Sequence, residues 1–189
     1  MDFNTHSNLH GKHAFLGASK YYWINYSQEK LERVFRNARA AERGTELHAF
    51  AHHAIRLRIR LDPEVGTLAR YVNDAIALNM LSEQILLYSD NCFGTADSIV
   101  FIDDQLNIHD YKSGTVVKGS VHQLEIYAAL FCLEYNVKPQ DIKIKLRIYQ
   151  NDEVIEYDAD PGVIEFIMNK IIDFDFQIEK MKIEEECND

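Results

Sequence analysis

Asp97, Asp110 and Lys112 are the residues whose types and spacing suit chemistry. They fall in the stretch from Gly94 to Lys112, which reads G-T-A-D, then I-V-F-I, a D-D-Q-L turn and N-I-H-D-Y-K. On a strand, residues two apart share a side, so Asp110 and Lys112 project together while Tyr111 faces away. If the two apolar runs pair as a hairpin, Asp97 lies beside Asp110, and two acids and a lysine share one patch. Carboxylate oxygens are hard ligands for a divalent cation, and a neighbouring ammonium helps a water attack phosphate.

Several elements must position that patch. Residues 28–42 read as a charged helix that Gly44 interrupts. A second helix runs from Thr45 to about Leu61, where Asp62-Pro63 stops it. Leu47, Phe50, Ala51, Ala54 and Leu57 make its core face, with His48 at the border. His48 and His52 have the spacing of a helical zinc pair, but the intervening A-F-A lacks the glutamate base of a zinc protease, and that reading is rejected. Residues 64–80 form another amphipathic helix, with Leu68, Val72, Ala75, Ile76 and Asn79 on one face. The period then changes to that of strands at 82–90, 93–102 and 105–112, an antiparallel meander. Ser113-Gly114 ends the third strand, and a T-V-V-K-G-S loop follows. A helix over 120–135, which Ser120 can cap, carries Gln123 and Tyr127 on one face. Beyond Pro139, I-K-I-K-L-R-I-Y-Q is a strand with one buried face, and V-I-E-Y a short strand after it. Asp160 and Pro161 start a long acidic helix reaching about Glu186. The expected fold class is α/β (α+β): one mixed sheet flanked by helices.

The N-terminal part carries less chemistry. Residues 1–12 read as frayed, and His6, His10 and His13 lack a rigid frame to make a metal site. Ser19 can cap a short helix whose Tyr22, Trp23 and Tyr26 form an apolar face, for core packing or for base stacking. Arg33, Arg36, Arg39 and Arg43 recur at helical spacing, as a basic face or a solvated one.

With 189 residues, 47% of them hydrophobic, the chain is expected to form a single domain. No apolar run approaches a membrane span, and M-D-F-N-T-H-S-N lacks the features of a signal peptide, which predicts a cytoplasmic protein with no membrane partner. Cys92, Cys132 and Cys187 lack C-x-x-C spacing, which argues against disulfides and zinc knuckles. The net charge of -10 is unevenly spread: residues 1–80 carry 11 Lys+Arg against 8 Asp+Glu, and residues 151–189 carry 3 against 13. A basic face for nucleic acid therefore stays open in the first half.

Four elements in order, G-T-E-L-H (44–48), G-T-A-D (94–97), D-Y-K (110–112) and Q-L-E-I-Y (123–127), resemble the motif series of the RecB-like branch of the PD-(D/E)XK nuclease superfamily. The surroundings H-A-F-L-G-A-S-K-Y-Y-W and S-E-Q-I-L-L resemble its phage-encoded members. The likeness covers residues 13–150 and leaves the acidic C-terminal helix unmatched. It implies a restriction-endonuclease-like core and a metal-dependent DNA nuclease, a phage-type exonuclease of recombination or DNA processing working in the host cytoplasm. The alternatives are an endonuclease of the same fold and a non-catalytic DNA-binding or protein-interaction module. A degenerate module would be expected to have lost Asp97, Asp110 or Lys112.

The resemblance also implies roles. Asp97 and Asp110 would hold one or two Mg²⁺ or Mn²⁺ ions, with the main-chain carbonyl of Tyr111 and the imidazole of His48 as further ligands; the nitrogen ligand favours Mn²⁺. Lys112 would orient or deprotonate the attacking water and offset transition-state charge. Gln123 and Tyr127 would flank the site. Glu46 and Glu83 are accessory candidates for a second metal or a water, with a surface role favoured for Glu46. DNA is the implied partner, together with a single-strand annealing or other recombination protein and a ring-forming homo-oligomer. Three scattered cysteines cannot build the iron–sulfur cluster of some RecB-like nucleases, and no G-x-x-x-x-G-K-[ST] loop for a nucleotide appears.

Overall fold

A computed structural model of the chain describes residues 4–114 and 120–186. Cys187 and most of the T-V-V-K-G-S loop lie outside the described residues. The chain divides into two compact units, Met1–Arg43 and Gly44–Asp189.

In the first unit, 3-10 segments at Ser7–Leu9 and Ala18–Asn25 precede helix α1, Gln28–Arg56, whose first part belongs here. The N-cap of the second segment is Gly17 and not Ser19. Tyr22 is exposed and does not join a buried face. The rings pack locally instead. Trp23 Nε1–H donates to the Gly17 carbonyl at 3.0 Å, Tyr22 lies 6.1 Å from Tyr26, and the Lys30 ammonium sits 4.5 Å from the Tyr26 centroid. Arg36 and Arg39 pair with Glu32 and Glu42 on their own helix, and all four side chains are exposed. Such pairs contribute a few tenths of a kcal/mol, about the helix-surface value.

Gly44 does not break α1. A glycine costs a helix interior about 1 kcal/mol, which neighbouring Ala and Glu residues absorb. It serves a close approach: a Cβ there would come 3.1 Å from Ser113 Oγ, at the end of the third strand. The helix also ends earlier than Asp62-Pro63. Arg58 is left-handed (φ 55), and the bonds Arg58 N–H to Ile55 carbonyl and Ile59 N–H to Ala54 carbonyl complete a Schellman closure. Ala51, Ala54 and Ile55 face inward, while Phe50 and Leu57 are 49% and 66% exposed, against the expected core face.

After a 3-10 turn at Pro63–Val65 comes helix α2, Thr67–Ala77, closed by the same device at left-handed Asn79, with Met80 N–H bonded to the Ala75 carbonyl. Asn79 is therefore a cap, not a core residue.

Strands β1 (Leu81–Ser89), β2 (Cys92–Ile102) and β3 (Gln105–Lys112) form the expected meander. The β2–β3 loop is Asp103-Asp104, both left-handed, as a two-residue I′ hairpin demands. Helix α3 (Ser120–Glu134) carries the chain across to β4 (Lys143–Gln150), which pairs parallel with β3. Asn151-Asp152, another left-handed pair, turns into β5 (Glu153–Asp158). Helix α4 runs Pro161–Glu186, its start fixed by the Gly162 N–H donating to Asp160 Oδ1 at 2.8 Å.

The sheet order is β1-β2-β3-β4-β5, antiparallel except at β3–β4. Leu106, Ile108, Ile144, Leu146 and Ile148 meet α3 and α4 on one face. Tyr111 and Tyr149 meet α2 and Ala51, Ala54 and Ile55 of α1 on the other. The fold is a mixed α/β architecture: a central sheet flanked by helices. Among the described residues, no helix is long and apolar enough to cross a membrane.

Candidate metal centre

A central strand covered on both faces ordinarily reads as a continuous apolar run. β3 is such a strand, yet Asn107, His109 and Asp110 are buried in it. Burying an ionisable carboxyl costs free energy unless partners compensate.

The β2–β3 register supplies the first partner. Ser98 pairs with His109, so Asp97 comes next to Asp110, and Asp97 Oδ2 accepts the Tyr111 N–H at 2.9 Å. Ala96 and Ile99 both belong to the α3-side core although three residues apart, so the face alternation slips by one at Asp97–Ser98. Opposite this slip, between the pairs Ser82–Ser98 and Gln84–Ala96, stands Glu83 at φ 54. Such bulge-like irregularities re-aim side chains. From α1, His48 Nδ1 comes 3.3 Å from Asp97 Oδ2. One donor atom each from His48, Glu83 and Asp97 lie within 4.8 Å of one another, a grouping able to coordinate a divalent cation. The Tyr111 ring, 5.7 Å from the His48 ring and 5.9 Å from Tyr71, braces the other face.

A chain of hydrogen bonds adjoins this triad. Lys112 Nζ donates to Asp110 Oδ1 and to Gln123 Oε1, each at 2.9 Å, and Gln123 Nε2–H donates to the Tyr127 hydroxyl at 2.9 Å. Gln123 and Tyr127 stand one turn apart on α3. Gly94 makes room for Tyr127, since a Cβ there would meet Tyr127 Cε1 at 2.8 Å.

Electrostatics follow from this packing. Burial, then the Asp97 charge, pushes the Asp110 carboxyl up to about 6, with Lys112 and His48 pulling the other way. The hydrogen bond to Asp97 raises His48, against its partial burial. Asp110 is 1% exposed, and its Oδ2 is buried without a hydrogen-bond partner. An orphaned carboxylate oxygen beside a His/Glu/Asp triad fits a cation as the missing partner.

The structure thus brings His48, Asp97, Asp110, Lys112, Gln123 and Tyr127 into one neighbourhood. It adds Glu83 to the mutually close donors, whereas Asp110 is tied to Lys112. Glu46 is exposed and outside that group. His52 hydrogen-bonds Ser82 at 2.9 Å. His6, His10 and His13 join no potential ligand group among the described residues. Periodicity missed the polar network behind the sheet. There Tyr149 donates its hydroxyl proton to Asp74 Oδ2 at 2.8 Å and also contacts His109 Nδ1 at 3.3 Å. Burial pushes His109 down to about 3, so it stays neutral. The available signal was the set of polar residues Asn107, His109 and Asp110 in a strand covered on both faces.

Residues 79–153 match a family model described as "Protein of unknown function (DUF2800)". The matched span, less than half of the chain, contains Glu83, Asp97, Asp110, Lys112, Gln123 and Tyr127, and leaves out His48. No curated protein matches the chain.

Proposed function

We propose that the chain is a metal-dependent nuclease of the RecB-like PD-(D/E)XK type that hydrolyses phosphodiester bonds in DNA, acting as a phage-type exonuclease. The observation that carries the reading is the Lys112 ammonium, held between Asp110 and Gln123 next to the His48–Glu83–Asp97 group. A structural ion pair would need neither the glutamine on its far side nor a donor triad beside it.

His48, Glu83, Asp97 and Asp110 would hold Mg²⁺ or Mn²⁺, with the Tyr111 carbonyl as a further oxygen donor. The bound ion supplies Lewis acidity towards phosphate and water. The chain's own residues do the rest. Lys112, with protons to donate, orients the attacking water and offsets the negative charge that builds on the phosphoryl oxygens. Gln123 fixes the ammonium, and Tyr127 fixes Gln123, so the charge is positioned before substrate arrives. Asp110 at once restrains Lys112 and keeps one oxygen uncommitted.

The test is hydrolysis of linear and of closed circular DNA by the purified protein with Mn²⁺ or Mg²⁺. The reading expects linear DNA to be degraded, circular DNA to be spared, and both EDTA and Asp110→Ala to abolish the activity. Cleavage of the circle would transfer the assignment to an endonuclease. Equal inertness of wild type and Asp110→Ala across metals and substrates would leave a non-catalytic module.

A further inference from the structure

One cavity of about 450 Å³ lies where the C-terminal ends of α1 and α2 meet the start of β1. Its polar walls are His52, Arg56, Arg58, Asn79 and Ser82, and no carboxylate lines it. Neither Arg56 nor Arg58 has an acidic partner within ion-pair distance among the described residues, while seven other Arg or Lys side chains do. Arg58 donates to the neutral Asn79 Oδ1, which aims the guanidinium without cancelling its charge. Helix C-termini favour cations, so the arginines could merely be caps. Both helices are already closed by their own Schellman bonds, however, which satisfy carbonyls that an arginine would otherwise bind.

Position gives the cavity its meaning. His52 is one helical turn from His48, a rise of about 6 Å, and Ser82 is the chain neighbour of Glu83. Phosphates recur about every 3.4 Å of helix axis along a DNA strand. A strand with one phosphate at the metal centre would therefore have a neighbouring phosphate within reach of the cavity. We infer that this cavity is a phosphate subsite: Arg56 and Arg58 supply the charge, and the His52–Ser82 pair supplies hydrogen bonds, to hold a nucleic-acid phosphate next to the reacting one. The inference rests on the nuclease reading for its substrate class. It concerns residues that the motif series does not include.

The test is binding of a short labelled DNA duplex in EDTA, followed by fluorescence anisotropy across a salt series, with Mn²⁺-dependent hydrolysis measured on the same preparations. The variant is Arg56→Gln with Arg58→Gly. Glutamine keeps helix propensity, and glycine is unstrained at φ 55, so the fold is undisturbed. The companion Arg56→Lys with Arg58→Lys keeps the charge. The neutral variant is expected to bind about tenfold more weakly and to lose about 1 from the slope of log K against log salt, the share of one phosphate, whereas the lysine variant keeps that slope. An unchanged slope in the neutral variant, with hydrolysis by wild type intact, overturns the subsite alone. A lost slope with no hydrolysis by wild type keeps the subsite and overturns the nuclease reading; absence of binding by wild type overturns the subsite, and absence of hydrolysis as well overturns both. Duplexes with a 5′-phosphate or a 5′-hydroxyl separate a terminal from an internal phosphate: an effect confined to the phosphorylated duplex assigns the terminal one.

Discussion

Lys112 Nζ lies 2.9 Å from Asp110 Oδ1, yet the Asp110 carboxyl is pushed up to about 6, because burial and the Asp97 charge outweigh the lysine. The unfolded chain releases this proton near 3.8. Between those values the folded state holds a proton that the unfolded state has lost, so metal-free stability falls as pH rises through the window and stays low above it. The ceiling on the loss is about 3 kcal/mol. Asp110→Asn removes it. In EDTA at pH 7 the variant should melt several degrees above wild type, with the gap closing towards pH 4. A variant that melts lower at pH 7 would show that the ion pair outweighs the cost of burial.

Metal should reverse that order. A divalent ion among His48, Glu83, Asp97 and Asp110 satisfies the orphaned Asp110 Oδ2, so Mn²⁺ should raise the melting temperature of wild type and leave Asp110→Asn almost unmoved. His48 must lose its proton to act as a ligand, and its hydrogen bond to Asp97 raises the pH at which it does so. Mn²⁺ affinity, read by titration calorimetry, should therefore climb from pH 6 to pH 8. His48→Ala should lower the affinity by about tenfold or more and flatten the climb. Glu83→Gln should lower it as well; an unaltered affinity would remove Glu83 from the ligand set.

Gly94 tests the positioning chain from behind. Adding a Cβ would place carbon 2.8 Å from Tyr127 Cε1, closer than packed atoms tolerate, and the ring must move. Overpacking of this kind costs about 1–3 kcal/mol. Because Tyr127 holds Gln123 and Gln123 holds Lys112, Gly94→Ala should also lower the turnover of DNA hydrolysis by about tenfold, with DNA affinity in EDTA unchanged. Loss of stability without loss of turnover would mean that Tyr127 supports the core and not the lysine.

How much of this was legible follows from the kind of signal each feature carries. Asp110, Lys112, Gln123 and Tyr127 sit on regular elements, where a period of two or of about four fixes which residues share a side. Asp97 follows from the hairpin, because a two-residue Asp-Asp loop sets the register. Glu83, an accessory candidate from the resemblance, does not follow from the register, since its place depends on a left-handed residue opposite a one-residue slip, and neither has a periodic trace. The ends of α1 and α2 were misplaced for a related reason. Arg58 and Asn79 adopt the left-handed state without glycine, so the helix stops before the expected Asp62-Pro63 and Leu57 falls outside it. Gly44 misled in the opposite direction: its missing side chain serves the approach of Ser113 and not a break.

The acidic α4 helix gives the last prediction. Its periodic Ile and Phe suggest packing and its acids a solvated outer face; Ile164 is fully buried, and Ile167, Met168 and Ile171 pack against the α3-side core. Further along, Ser89 and Asn91, where β1 turns into β2, both donate to Asp175. Each large apolar side chain buried here contributes about 1.5–3 kcal/mol, in a domain whose total stability is on the order of 5–15 kcal/mol. Truncation after Ala159 should therefore leave a chain without a cooperative thermal transition. Single substitutions separate packing from charge. Ile164→Ala should cost about 2–5 kcal/mol in urea unfolding. Phe174→Ser, at a site 53% exposed, should cost less than about 0.5 kcal/mol. A cooperative, active truncated chain would mean that the sheet and α3 suffice without this cover, and that α4 serves something other than the fold.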